Sequence, residues 1–382
     1  MMTAIVLSFA SALFGAEADP EVERLIEALR SENPAARAEA ATALGKLGPR
    51  ASGAARLVVK SYLRLGETDS PVARTMRNAL VGLGKPAAVA LVERLDVADS
   101  DSQQLHDVLR ALMEVVPVAP DIIAPAFARA LKKNNEKLAW NVISSMRWTD
   151  LELLRGDRDD LVPALAEWMG SPDAELSFRA TEVLFGINPN HEEATRVLVK
   201  ALRGSEQSEH RLAAACHLAK SKKYAERAIP IVMRALALTR KSGGSLWVAA
   251  YVAGAAHLGA AMTKLGDDAR QFVPLLTSEL EAAKREAPRV AFVSAGLILL
   301  ADGKNREARD YLLATLPALT DFLGFAEEGA FSLVFFATEV LGELGPAAAK
   351  AVPALEKLLE SPNPEYRKAA RRALRKIRRG EP

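Results

Sequence analysis

The sequence predicts an all-α solenoid of about nine to ten stacked antiparallel helix pairs, on three observations. A leucine-glycine anchor recurs along the chain. A proline-containing turn followed by an arginine recurs between the anchors. The composition is apolar yet poor in aromatics, with 49% hydrophobic and only 5% aromatic residues. That balance suits helices packed through alanine and leucine better than sheets, which favour β-branched and aromatic side chains.

The anchor is plainest at Leu44-Gly45-Lys46-Leu47-Gly48-Pro49, which returns as Leu341-Gly342-Glu343-Leu344-Gly345-Pro346. Leucines three apart share a helix face, glycine lets the helix end in a left-handed cap, and proline stops its continuation. Weaker copies lie at Leu80-Val81-Gly82-Leu83-Gly84 and Leu184-Phe185-Gly186-Ile187-Asn188, where asparagine is expected to take the glycine's backbone geometry.

The turn is plainest at Ser31-Glu32-Asn33-Pro34-Ala35-Ala36-Arg37, matched by Ser361-Pro362-Asn363-Pro364-Glu365-Tyr366-Arg367. Asparagine and serine cap the new helix, and proline is tolerated in its first turn. Arg37, Arg211 and Arg367 each stand seven residues before an anchor leucine, and structural roles are expected for all three. The expected pairs are 20–48, 50–84, 86–116, 121–148, 160–188, 191–220, 225–266, 270–303, 308–345 and 348–378. The pattern is least regular over 97–155, 235–266 and 304–333, and Thr239–Ser245 reads as a longer loop.

These anchors and turns resemble the HEAT-repeat family, including its PBS-lyase-like branch of bacterial proteins. The resemblance covers most of the chain after residue 20. It implies a HEAT/armadillo-like superhelix used as a scaffold or adaptor, with a protein partner bound along the curved surface. It also leaves open a PBS-lyase-like enzyme or chromophore-handling protein.

Residues 1–18 are apolar from Ala4 to Phe14 and end in Ala16-Glu17-Ala18, the pattern of a cleaved secretory signal peptide. A periplasmic or secreted protein is therefore expected, with a cytoplasmic chain as the alternative. The solenoid then occupies 19–382, closed by a basic capping helix at about 365–379.

No catalytic, cofactor-binding or metal-binding residues are expected. His210 and His217 lie two turns apart on one helix, too far to grip one ion together. Cys216, the single cysteine, reads as a small buried helix residue. No nucleophile elbow or phosphate loop is present. Trp168 reads as core.

The candidate partner-binding residues are Trp140, Arg147 and Trp148, since tryptophan and arginine anchor many interfaces, together with Arg371, Arg372, Arg375 and Lys376. Those last four belong to a run of eight basic residues within 366–380. Without the eight, 42 basic residues face 48 acidic ones, so the body is near −6. The basic end keeps a nucleic-acid-binding solenoid as an alternative. The body's lack of a basic stripe disfavours specific recognition of nucleic acid.

Overall fold

Asparagine and serine side chains start the helices where the turn signature places them. Asn33 accepts the Ala35 N–H at 2.9 Å and Asn363 accepts the Glu365 N–H at 2.9 Å. Ser70 accepts the Ala73 N–H at 3.2 Å. Each cap satisfies a backbone donor left over by the first turn, and each is followed at once by proline. The computed structural model describes residues 19–66, 70–100, 102–146, 151–154, 159–204, 209–242, 258–284, 288–324 and 331–380.

Contacts divide the chain into two units, 1–115 and 116–382. The first holds three pairs: α1 (Pro20–Ala28) with α2 (Pro34–Leu47), α3 (Ala55–Leu63) with α4 (Pro71–Leu83), and α5 (Lys85–Val97) with α6 (Gln103–Val115). The second opens with α7 (Pro120–Leu131) and α8 (Glu136–Met146), α9 (Leu161–Met169) and α10 (Ala174–Ile187), α11 (Glu192–Leu202) and α12 (Glu209–Leu218).

It continues with α13 (Ala225–Ser242), then α14 (Val273–Ala283) with α15 (Pro288–Ala301). Beyond these come α16 (Arg306–Ala314), α17 (Leu316–Gly324) with α18 (Phe331–Leu344), and α19 (Val352–Leu358) with α20 (Pro364–Arg379). Among the described residues there are nine such pairs, all are helical, and none forms a strand.

Second helices pack on second helices, as α2 does on α4, α10 on α8 and α12, and α18 on α20. First helices pack on first helices, as α3 does on α5 and α7 on α9. Each unit is therefore two layers thick, with an apolar seam between the layers. Leu44, Leu80, Leu91 and Leu112 are fully enclosed in the first unit, and Phe127, Ile143, Leu184 and Leu341 in the second.

The two glycines of an anchor do different work, which sequence reasoning merged. The second, Gly48 or Gly84, ends its helix with a positive φ of 59° or 69°, but with ψ of −131° or −134° in place of the left-handed helical cap expected. The first lies inside the helix and lets backbones meet. Asn188 departs further: its φ is −129°, so the α10 terminus does not take a positive φ at all.

The expected arginines clamp the turns before their helices. Arg37 Nη1 donates to the Ser31 and Glu32 carbonyls at 2.8 and 2.9 Å. Arg367 Nη1 donates to those of Ser361 and Pro362 at 2.6 and 2.7 Å. Arg211 Nε reaches the Leu202 carbonyl at 3.2 Å.

Three expectations need correction. Helix α13 runs on through Ser242, so 239–242 are helical and not a loop; the rest of that stretch lies outside the described residues. Region 304–333 holds an additional short helix, α16, ahead of its pair. Trp168 is half-buried, because its indole N–H donates across to the Leu131 carbonyl at 3.1 Å and so holds the ring at the rim of the seam.

Candidate functional site

The second unit carries a cross-helix ladder on three successive second helices, α8, α10 and α12. Residues one repeat apart in sequence become neighbours there. Arg179 on α10 lays its guanidinium 4.6 Å from the centre of the Trp140 ring on α8, and its Nη1 donates to Ser144 Oγ at 3.5 Å. Its Nε donates to Glu175 Oε1 at 2.7 Å, one turn away on the same face. The other carboxylate oxygen, Oε2, accepts from His210 Nε2 on α12 at 2.7 Å. The His210 ring stacks on Phe178, centroids 4.0 Å apart and 21° from parallel.

The arrangement repeats two turns further along. His217 Nε2 stands 3.6 Å from Glu182 Oε1 and meets Phe185 edge-on at 6.2 Å. This tier is closed to solvent, since the Glu182 side chain is only 3% exposed. The first tier is open: Glu175 and His210 side chains are 40% and 37% exposed, and Trp140 is half-buried. Accessible ladder chemistry thus runs from Trp140 through Arg179 and Glu175 to His210.

Burial pushes the Glu175 carboxyl up, but hydrogen bonds from His210 and Arg179 outweigh it and hold it below its usual value. Cys216, beside this ladder on α12, has its thiol pushed up to about 12 by burial, with the Glu182 charge adding to the effect. A thiol in that environment is a poor nucleophile. Among the described residues no group of three His, Cys, Asp or Glu side chains could hold a metal ion.

Sequence reasoning singled out Trp140 but missed Glu175, Phe178, Glu182 and Phe185. A signal was there: Glu175 and Glu182 each stand 35 residues before a histidine, about one repeat. Arg147 and Trp148 lie outside the described residues.

The basic residues of α20 divide into two sets. Arg372 Nη1 donates to Glu339 Oε1 at 2.7 Å, Lys376 pairs with Glu343, and Arg378 pairs with Glu356. The first two hold α20 to α18 and the third holds it to α19. Arg371 and Arg375 are exposed and form no ion pair with any described residue. Of the four basic candidates, the structure brings Arg372 and Lys376 into repeat-to-repeat ties and leaves Arg371 and Arg375 on the surface.

No family model matches the chain, and no curated protein does. Among solved structures, importin β matches at a TM-score of 0.44 and 14% identity, covering 96% of this chain and 55% of that one. Kap121p bound to the extreme C-terminus of the protein phosphatase Cdc14p matches at 0.34 and 15%, covering 94% and 45%. A structure from work on the interaction between cadherin and β-catenin matches at 0.30 and 15%, covering 96% and 92%. This chain spans about half the length of the importin β and Kap121p chains.

The likeness is to HEAT/armadillo-like solenoids generally and is not specific to the PBS-lyase-like branch. The expected periplasmic or secreted location is also corrected. The matches are to importin β and karyopherins, one of them described for nuclear import complex assembly, and the export reading is withdrawn. Residues 1–18, on which it rested, lie outside the described residues. No helix among the described residues is long and apolar enough to cross a membrane. In architecture the chain is an all-α, HEAT/armadillo-like solenoid of paired helices.

Proposed function

We propose that the chain is a non-catalytic scaffold that holds a protein partner on the face formed by α8, α10 and α12. The observation carrying this reading is Arg179 held over Trp140 by Glu175 and Ser144, with His210 tied to the same carboxylate. Tryptophan and arginine dominate binding hot spots because each offers a large contact area and directional polar groups. An arginine already fixed by its neighbours loses little further freedom when a partner docks, which favours affinity.

Catalysis is a poor fit to this chemistry. The polar groups of the open tier pair with one another, with no nucleophile beside a base among them, and the nearby thiol is suppressed.

The test is site-specific photo-crosslinking from position 140 in the cells that make the protein. Val97, the most exposed large apolar side chain among the described residues and on a first helix, serves as the control position. A discrete adduct at 140 and none at 97 is expected. Equal labelling at both positions, or none at 140, would reject this face.

A further inference from the structure

We propose that Arg371 and Arg375 on α20 form a second docking site, which takes an acidic segment of a partner protein. The proposal does not depend on the α8–α12 face. Tyr366, Ala369, Ala370, Ala373, Leu374 and Ile377 bury the inner side of α20. The flank carrying Arg372 and Lys376 is tied to Glu339 and Glu343 of α18, and Arg378 is tied to Glu356 of α19. Arg367 is committed to turn carbonyls.

The helical period places Arg371 and Arg375 one above the other on the side away from the buried stripe. Lys368 joins the same stripe, held only by a loose 3.6 Å contact to Glu365 on its own helix. Net positive charge left over by the fold is thus concentrated on one short line.

Size and surroundings select the occupant. Four residues of helix rise about 6 Å, which matches carboxylates two residues apart on an extended peptide, about 6.7 Å, or four apart on a helix. Each guanidinium offers a planar fork that fits a carboxylate with two parallel hydrogen bonds. A nucleic acid needs a longer uncompensated track, because its affinity grows with every phosphate neutralised. Here Arg372, Lys376 and Arg378 are already neutralised by Glu339, Glu343 and Glu356, so the uncompensated charge does not run on beyond Lys368, Arg371 and Arg375. Two or three contacts suit a short acidic motif.

The experiment measures fluorescence anisotropy of a labelled peptide of alternating glutamate and serine, titrated with the full chain at low and at physiological salt. The test variant is Arg371→Ala/Arg375→Ala. The control is Arg30→Ala/Arg196→Ala, which removes the same net charge from exposed arginines in the turn after α1 and on α11. Circular dichroism melts establish that both variants fold. Saturable binding is expected, weakened at least about tenfold in the test variant and changed less than about threefold in the control. Equal weakening in both variants would mean diffuse charge attraction and overturn the site. So would the absence of peptide binding, or binding unaffected by the test variant. Labelled oligouridine binding more tightly than the peptide and lost in the same variant would make the site a nucleic-acid site, also overturning the proposal.

Discussion

A Cβ added to Gly82 on α4 would lie 2.5 Å from the carbonyl oxygen of Gly45 on α2, and one on Gly45 would lie 2.8 Å from the Cα of Ala79. The two second helices touch backbone to backbone at the first glycine of consecutive anchors. Nothing flexible stands between them to give way. Gly82→Ala should therefore force the helices apart and cost about 1–3 kcal/mol, as overpacking of a close-packed core does. Gly53, exposed and with nothing near its would-be Cβ, is the contrast. Its alanine variant should match or slightly exceed the wild type in chemical denaturation, because the unfolded chain loses freedom.

Arg77 of α4 and Glu114 of α6 form an enclosed ion pair in the first unit, 2.6 Å apart, with the arginine side chain only 3% exposed. Burial pushes the Glu114 carboxyl up, and the Arg77 charge opposes that push. Arg77→Leu removes the nearest partner of a half-buried carboxylate that Arg110 and Arg74 still face, and should cost about 1–3 kcal/mol in urea denaturation at neutral pH. Adding Glu114→Leu should recover most of the loss. The cost of the single variant should also shrink in acid, where Glu114 takes up a proton and its buried charge disappears.

Glu175 should make the junction of α10 and α12 sensitive to acid. Its carboxyl is held below the ordinary value of 4.5 in the folded chain. A depressed folded value means that the carboxylate's stabilisation is complete above the unfolded value and is lost as pH falls through the folded one. Glu175→Gln should lower the melting temperature at pH 7, and the gap from wild type should close as the pH falls below the ordinary carboxylate value of 4.5. A gap that persisted unchanged in acid would show that the carboxylate charge is not what ties the helices.

Much of the architecture is legible in the sequence because local signals agree with the tertiary need. Asn33-Pro34 and Asn363-Pro364 start helices by capping and ring geometry, and neither depends on distant contacts. Arg37 and Arg367 reach carbonyls of their own turns, so their roles also follow from spacing. The division of labour between Gly45 and Gly48 was not legible, since it depends on α4 lying against α2.

The ladder shows the same limit. Trp140 stands out by residue type, but Arg179 and Glu175 are ordinary helix residues until the stacking brings α8, α10 and α12 together. Among the basic residues of α20, sequence cannot separate Arg371 from Arg372. The separation arises because Glu339 of α18 faces only one of them.

The scaffold reading stands or falls on the affinity of the partner recovered by crosslinking at position 140, measured by titration calorimetry against the wild type, Trp140→Ala, Arg179→Ala and Val97→Ala. An anchor of this kind is worth more than 1 kcal/mol, so each of the first two substitutions should raise the Kd about tenfold. The third should leave it unchanged. A partner whose Kd stayed within about twofold for Trp140→Ala and Arg179→Ala, with both variants folded, would contradict the assignment of this face.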